Sequence, residues 1–180
     1  ITSSLFGYGE FDISSVNNSA SALFYFAIGL PAFSTIKIFS SFLFARHNTK
    51  IPFYFSLISV IINIIISIYF FKDIGFIIIP IATTISSWIN SLLLFIYLIK
   101  NKYFFIEFNL IKSLIRIFIS TILTSIFFYN LIAYFSDKLN YESEYKLLMI
   151  ILLVILTFVA YIIVSILTKA FKISDIKLKY

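Results

Sequence analysis

The chain has 180 residues, of which 61% are hydrophobic and only 12% are charged, and its mean hydropathy is +1.05. Soluble domains carry about 25% charged residues, so this composition excludes a soluble globular domain and predicts an all-α, polytopic membrane protein. The net charge of +6 could suggest a nucleic-acid partner, and the lack of cysteine excludes disulfides and thiolate metal sites.

The first stretch, residues 1–18, is polar and rich in turn-forming residues, and its only charges are the acidic Glu10 and Asp12. This pattern predicts a loop or a short interfacial helix on the outer face of a membrane. The chain begins at Ile1, and no basic segment with a cleavage site comes before the first apolar run. We therefore interpret it as part of a longer protein, whose upstream remainder is its first expected partner.

Five apolar runs follow, each long enough to supply the roughly 20 residues of a membrane helix. Their continuity lacks the alternation of barrel strands, so five transmembrane helices of a larger bundle are expected. We place them at residues 19–44, 52–71, 75–99, 113–135 and 147–168. The first three, within 19–99, form one group; a loop at 100–112 leads to the last two, within 113–168, and a tail at 169–180 follows.

The basic residues are distributed unevenly between the loops. Of the 14 in the chain, 10 lie in alternate loops and the tail, and only Lys72, Lys138 and Lys146 lie in the loops between. Short loops rich in Lys and Arg stay on the cytoplasmic side, so the N-terminus is expected outside and the C-terminus in the cytoplasm. The basic excess then indicates topology and contact with anionic membrane lipids, and no nucleic-acid binding is expected.

Polar residues in the first three runs recur every three or four positions, which places each set on one side of a helix. Such faces meet protein or water in preference to lipid, so the three helices are expected to surround a polar interior. The candidates for a substrate pathway are Ser34, Lys37, Asn63 and Asn90. Alternatively, the two asparagines only join helices through hydrogen bonds. Lys37, whose place inside a span costs about 3 kcal/mol, either extends toward the membrane surface or faces an anionic substrate.

A short basic segment separates the first two runs and contains Arg46 and Lys50, our candidates for a cytoplasmic gate or a lipid-phosphate contact. Pro31 and Pro80 each remove a backbone donor, so helix bends are predicted at both, with Gly29 contributing to the first.

The inventory of reactive groups is poor. There is one histidine, His47, in the basic segment, and most of the acidic residues fall in the predicted outer loops. No phosphate-binding glycine loop, metal-ligand spacing or nucleophile motif is present, so no catalytic residue, metal or cofactor is expected. A membrane-bound glycosyltransferase or acyltransferase remains an alternative if its catalytic residues lie upstream of Ile1, and a purely structural membrane subunit is another.

Four segments carry a resemblance to a known family: LFGYGEF at 5–11, GLPAF at 29–33 followed by Lys37, FARHNTKIP at 44–52, and SWINSLLL at 87–94. In this order they resemble the C-terminal part of the MurJ (MviN) family, the lipid II flippases of bacterial peptidoglycan synthesis. That family belongs to the multidrug/oligosaccharidyl-lipid/polysaccharide exporter superfamily, whose other members move other polyprenyl-linked glycans or drugs. The third segment departs from the family pattern at Phe44, Asn48 and Ile51, where the family usually has Tyr, Asp and Thr.

The resemblance implies that the five helices are the tenth to fourteenth of a fourteen-helix transporter of the bacterial inner membrane, with a periplasmic N-terminus in this part of the chain. The first three would complete the second six-helix lobe, and the last two would form a hydrophobic groove for a lipid tail. The implied substrate is lipid II, moved by alternating access without covalent chemistry. The arginines that hold its diphosphate in the family lie in earlier helices.

Overall fold

The computed structural model describes residues 13–139 and 146–171, and within these ranges every regular element is a helix. The five α-helices are α1 (Ile13–Ala45), α2 (Lys50–Ile74), α3 (Ile78–Lys100), α4 (Phe108–Tyr134) and α5 (Lys146–Leu167). Short 3-10 turns, Gly75–Ile77 and Ser136–Leu139, follow α2 and α4. The helices belong to two compact units, one with α1 to α3 and the other with α4 and α5.

Four helical segments among the described residues are long and apolar enough to cross a membrane. One of them, Lys50–Lys100, has 51 residues and would be roughly 76 Å long if straight, far more than the about 30 Å of a bilayer core. It folds back at Gly75, since Ser59 Oγ on α2 donates to Ser86 O on α3 at 2.7 Å. The prediction of an all-α, polytopic membrane protein is confirmed.

Two helices extend beyond the apolar runs that predicted them. Helix α1 begins at Ile13 instead of residue 19, and α4 begins at Phe108 instead of residue 113. The backbone hydrogen bonds of each helix continue into the polar residues before the predicted run. Ser21 Oγ, inside the first run, donates to Asn17 O in the added turns at 3.0 Å. The segment at 5–11 and most of the predicted tail, from residue 172 onward, lie outside the described residues.

Helix α3 is the centre of the first unit, because α1 and α2 both pack along it and contact each other little. At one end Leu43 of α1 and Leu94 and Leu98 of α3 form a buried apolar cluster. The ring of Phe104, just after α3, packs against Phe39, with centroids 6.4 Å apart. This packing anchors the last turns of α1 against the last turns of α3.

Gly29 lets α1 approach α3 closely. A Cβ at this position would lie 3.1 Å from Thr84 Oγ1, which already donates to Tyr25 O at 2.7 Å. Trp88 Nε1 donates to Ile28 O at 3.2 Å one turn further on. The structure therefore gives Gly29 a packing role, which the predicted bend did not include.

The two prolines predicted as bends occupy different positions. Pro31 is inside α1, which continues to Ala45, so a bend there stays a prediction. Pro80 lies in the first turn of α3, because that helix begins at Ile78. The first four N–H groups of a helix have no intrahelical acceptor, so a proline there breaks no bond and the predicted bend at Pro80 loses its cause.

Gly75 makes the reversal between α2 and α3 with φ +73° and ψ −154°, a region open essentially to glycine alone. We expect Gly75→Ala to destabilise the complete protein by about 1–3 kcal/mol. The cost is one of backbone conformation, because a Cβ here would meet nothing within 4 Å. Thermal unfolding in detergent measures it, with Phe76→Ala at the next, exposed position as control. Equal stability of the two variants would contradict the conclusion that the backbone conformation at residue 75 requires glycine.

Helices α1, α3 and α5 end in the same way. In each, a basic residue adopts the left-handed conformation just past the last turn: His47 (φ 59°), Lys102 (φ 57°) and Lys169 (φ 57°). The next residue then bonds back into the helix, as Asn48 N does to Leu43 O at 2.9 Å. Glycine is the usual residue at this position, but a positive charge, as at Lys102 and Lys169, interacts favourably with the helix dipole.

The second unit consists of α4 and α5, packed antiparallel. Ser120 Oγ of α4 lies 2.7 Å from Thr168 Oγ1, just past α5, and Ser120 is fully buried. Arg116 Nη1 donates to Lys169 O at 3.4 Å near the same end. These contacts join the beginning of α4 to the end of α5.

Candidate functional site

A groove of about 890 Å³ lies between α1 and α2. Both helices pack mainly on α3 and contact each other little. It runs along the last turns of α1 and the first turns of α2, on the side of the basic segment. Its lining residues are Phe33, Ile36, Lys37, Ser40, Ser41, Phe44, Thr49, Lys50, Pro52, Phe53, Tyr54 and Ser56.

Two lysines line the groove, Lys37 from α1 and Lys50 from the first turn of α2. None of the described residues that line it is acidic. Between residues 13 and 105 the sequence has a single acidic residue, Asp73, at the opposite end of α2. The N-terminus of α2 adds the partial positive charge of its free N–H groups, so the electrostatic character of the groove is positive.

The remainder of the lining is apolar and hydroxyl-bearing. Phe33, Phe44, Phe53 and Tyr54 supply aromatic surface, and Phe53 and Tyr54 are more than half exposed. Positive charge beside aromatic surface is suited to an amphiphile with an anionic group. Of the predicted site residues, the structure therefore brings Lys37 and Lys50 together in one groove.

Arg46 contacts aromatic rings and does not line the groove. Its guanidinium carbon lies 4.3 Å from the ring centroid of Tyr103 and 4.9 Å from that of Phe42. Such cation–π contacts are worth about 0.5–1 kcal/mol at exposed sites. They join the α1–α2 connection to the segment that follows α3, so the contacts of Arg46 give it an anchoring role.

Asn48 stands where the family pattern has Asp, and it connects the same elements. Its Oδ1 accepts the N–H of Ile51 in the first turn of α2 at 3.4 Å, and its Nδ2 donates to Tyr97 Oη on α3 at 3.3 Å. An amide can thus satisfy a free donor of α2 without a carboxylate.

The other three predicted pathway residues are engaged elsewhere. Asn63 lies between α2 and α3, where its Nδ2 donates to Thr83 Oγ1 at 3.0 Å. Ser34 Oγ donates to Leu30 O within α1 at 3.0 Å. Asn90 is 6% exposed and donates to Ser56 Oγ at 3.4 Å, while its Oδ1 has no hydrogen-bond partner in the described part of the chain. Asn90 thus reaches the groove only through Ser56.

Helix α3 has two rows of polar residues, one facing α1 and one facing α2, and the sequence analysis did not assign them to different neighbours. Thr84 and Ser91, seven residues apart, face α1, and Ser91 Oγ lies 2.6 Å from Thr35 Oγ1. Thr83 and Asn90, also seven apart, face α2. The spacing of the two pairs was a signal that α3 packs on both neighbours, but the sequence does not say which row meets which helix.

The second unit has a separate groove of about 400 Å³ between α4 and α5. Phe128 and Phe158 contribute rings, and Thr121, Thr124 and Thr157 lie along its sides. Thr124 Oγ1 and Thr157 Oγ1 both donate to carbonyls of their own helices, at 2.9 and 2.7 Å. This leaves a predominantly apolar surface.

Long apolar helices, interhelical polar contacts and a lysine facing a groove define a polytopic α-helical integral membrane protein. The family described as lipid II flippase MurJ matches residues 1–150 of this chain. The chain belongs to the MurJ family.

Curated relatives agree with this assignment. A probable lipid II flippase MurJ of Rickettsia prowazekii (strain Madrid E) is 31% identical over 153 residues, which are 85% of this chain and 30% of the relative. That of Rhizobium meliloti (strain 1021) is 36% identical over 95 residues, 53% of this chain and 18% of the relative. A protein named lipid II flippase MurJ from Burkholderia cenocepacia is 32% identical over 100 residues, 56% of this chain and 19% of the relative. The chain thus spans less than a third of the length of these relatives.

Proposed function

We propose that this chain is part of a flippase that moves lipid II, an undecaprenyl-linked peptidoglycan precursor, across the bacterial cytoplasmic membrane. The observation that carries the proposal is the family match over residues 1–150. The positive groove between α1 and α2 supports it, because an anionic lipid-linked substrate needs a cationic surface on its path. No covalent chemistry is required, so the protein acts as a transporter and not as an enzyme.

The arrangement around α3 supports transport by alternating access. Helices α1 and α2 contact each other little, so the groove between them can change width while each keeps its contacts with α3. Transporters of this kind open and close by moving helices or repeats around a central site. In this proposal Lys37 and Lys50 face the substrate pathway, and Arg46 and Asn48 anchor the connection beside it.

The orientation proposed for the chain puts the basic segment in the cytoplasm and Ile1 on the periplasmic side. Arg46 contacts Tyr103, so the α1–α2 connection and the residues that follow α3 lie on the same side of the first unit. Both segments are basic, as the distribution of Lys and Arg in cytoplasmic loops requires. For the second unit we propose that the apolar α4–α5 groove holds part of the lipid tail.

Reconstitution of the complete protein into vesicles tests the proposed function. Labelled lipid II should become accessible on the opposite leaflet in a saturable manner, and excess unlabelled lipid II should suppress the signal. A cationic drug at the same excess should have no effect, because the two lysines repel cations. Equal suppression by the drug would indicate another exporter of the superfamily, and no movement of lipid II at all would overturn the proposal.

A further inference from the structure

We propose that the beginning of α2 separates reversibly from α3, and that Tyr97 and Asn90 of α3 set the balance between the closed and the open arrangement. Tyr97 holds the two helices together, whereas Asn90 favours their separation. Such an opening is a property of the first unit alone, so it goes beyond the proposed function and does not depend on the substrate that the complete protein moves.

The middle of the α2–α3 interface is joined by well-partnered contacts. Ser59, which is buried, donates its Oγ proton to Ser86 O at 2.7 Å. One turn further along α2, Asn63 Nδ2 donates to Thr83 Oγ1 at 3.0 Å. The oxygen of the same amide accepts a bond from Ser67 Oγ at 3.4 Å. Both groups of this amide have partners, so separating the helices here would only break bonds.

Asn90 meets α2 one turn nearer its beginning, and its amide is only half satisfied. Nδ2 donates to Ser56 Oγ at 3.4 Å, but Oδ1 has no hydrogen-bond partner in the described part of the chain. That oxygen is enclosed by protein, so water in the groove does not reach it. Turning the amide over exchanges its two ends and leaves Nδ2 unpaired instead. A buried polar atom without a partner raises the free energy of the closed arrangement.

Separation of the two helices at this level would open Asn90 to the groove. Ser56, the partner of its Nδ2, is exposed and lines the α1–α2 groove. Asn90 itself is only 6% exposed, so it lies directly behind this serine. When the first turns of α2 move away from α3, water from the groove can reach the amide and supply the missing bond.

Tyr97, two turns beyond Asn90 on α3, opposes this movement. Its hydroxyl accepts a bond from Asn48 Nδ2 at 3.3 Å, just before α2 begins. Its ring meets that of Phe55 edge to face, with centroids 6.1 Å apart. Ile51 and Phe55 also pack beside the apolar cluster at the end of α3. These contacts outweigh one unpaired atom, so the closed arrangement predominates and the open one is a minor population.

Pulsed electron spin resonance on the complete protein in lipid nanodiscs measures the two populations. Spin labels are attached through Tyr54→Cys and Ile96→Cys, at exposed residues of α2 and α3 near the groove. This chain has no cysteine of its own, and any cysteine upstream is replaced by serine. We expect a main short distance and a minor longer one. The matched pair Ile68→Cys and Ile79→Cys, nearer the reversal between the helices, should give a single distance.

Loss of the Tyr97 hydroxyl and loss of the Asn90 amide should have opposite effects on the ratio of long to short distances. Tyr97→Phe should raise this ratio about fivefold, because it removes one closing hydrogen bond. Asn90→Leu keeps the branched shape without the unpaired atom and should lower the ratio about fivefold. Asn90→Asp has the size of asparagine but buries an unpaired charge, so it should raise the ratio about tenfold or more. Asn63→Leu, at the amide with two partners, should not lower it.

Any of three results would overturn the proposal: a single short distance in the wild type and every variant, a raised ratio in folded Asn90→Leu, or no increase in Asn90→Asp. Thermal unfolding in detergent verifies that each variant is folded. If the larger leucine prevents folding, Asn90→Asp decides, because it adds no volume. Failure of the proposed function is separate, since it appears as absent lipid II transport by the wild-type protein whatever the distances.

Discussion

Lys37→Met in the complete protein is expected to lower the rate of lipid II transport about tenfold or more, without loss of stability. Lys37 lines the α1–α2 groove, and losing one charge-assisted contact to a phosphate costs about 1.5–3 kcal/mol. Methionine has a similar length and is apolar, so the substitution also removes the cost of about 3 kcal/mol of a lysine inside a span. Reduced transport with equal or higher stability is therefore the signature of a functional role.

The measurement is the initial rate of lipid II movement in reconstituted vesicles, beside the thermal midpoint of each variant in detergent. Lys100→Met is the matched control, because it removes the same charge from the exposed end of α3. Lys37→Arg should restore part of the rate. Transport by Lys37→Met at the wild-type rate would remove Lys37 from the mechanism and favour an anchoring role at the membrane surface.

Gly29→Leu is expected to destabilise the protein by about 3 kcal/mol or more and to reduce the folded yield. The first added atom would already lie 3.1 Å from Thr84 Oγ1 and 3.1 Å from Phe33 Cε2, and the rest of the leucine has no space between α1 and α3. Helix α1 would have to move away, which lengthens the bonds from Thr84 to Tyr25 O and from Trp88 to Ile28 O.

Thermal and chemical unfolding of the complete protein measure the effect, with Ala27→Leu as control for a leucine on the exposed side of the same helix. Gly29→Ala should be intermediate, since Phe33 can rotate away from a single methyl group while Thr84 is held by its hydrogen bond. A leucine at residue 29 that is tolerated as well as one at residue 27 would show that α1 and α3 are not closely packed there.

The helical class could be predicted from the sequence, and Lys37 and Lys50, which line the groove, were among the candidate site residues. Runs of apolar residues determine membrane helices almost alone, because the bilayer leaves the backbone few other conformations. Lys37 was identifiable because a charge inside a span is costly and needs a reason. The predicted starts of α1 and α4 were five or six residues too late, because a helix continues into polar sequence wherever its backbone hydrogen bonds continue.

The partners of the polar residues could not be predicted. Asn63 and Lys37 both belong to polar stripes, yet Asn63 joins α2 to α3 and Lys37 faces the groove. Whether a polar residue joins two helices or faces the groove depends on which of its two polar rows α3 turns toward α1 and which toward α2. Packing decides this, for example the close approach of α1 and α3 at Gly29. Arg46 was predicted at a cytoplasmic gate or a lipid-phosphate contact, and its contact with the ring of Tyr103 could not be predicted because the two residues are distant in sequence.

The left-handed residues that end α1, α3 and α5 imply a compromise between local stability and membrane orientation. Substituting glycine at His47, Lys102 or Lys169 would relieve about 1–2 kcal/mol of backbone strain. In the proposed orientation, glycine at Lys102 or Lys169 would also delete a positive charge that favours the cytoplasmic side of the membrane. Selection for thermal stability alone would favour glycine at all three positions. Selection for correct insertion would oppose it at the two lysines, so His47 is the position where a stabilising glycine should be accepted first.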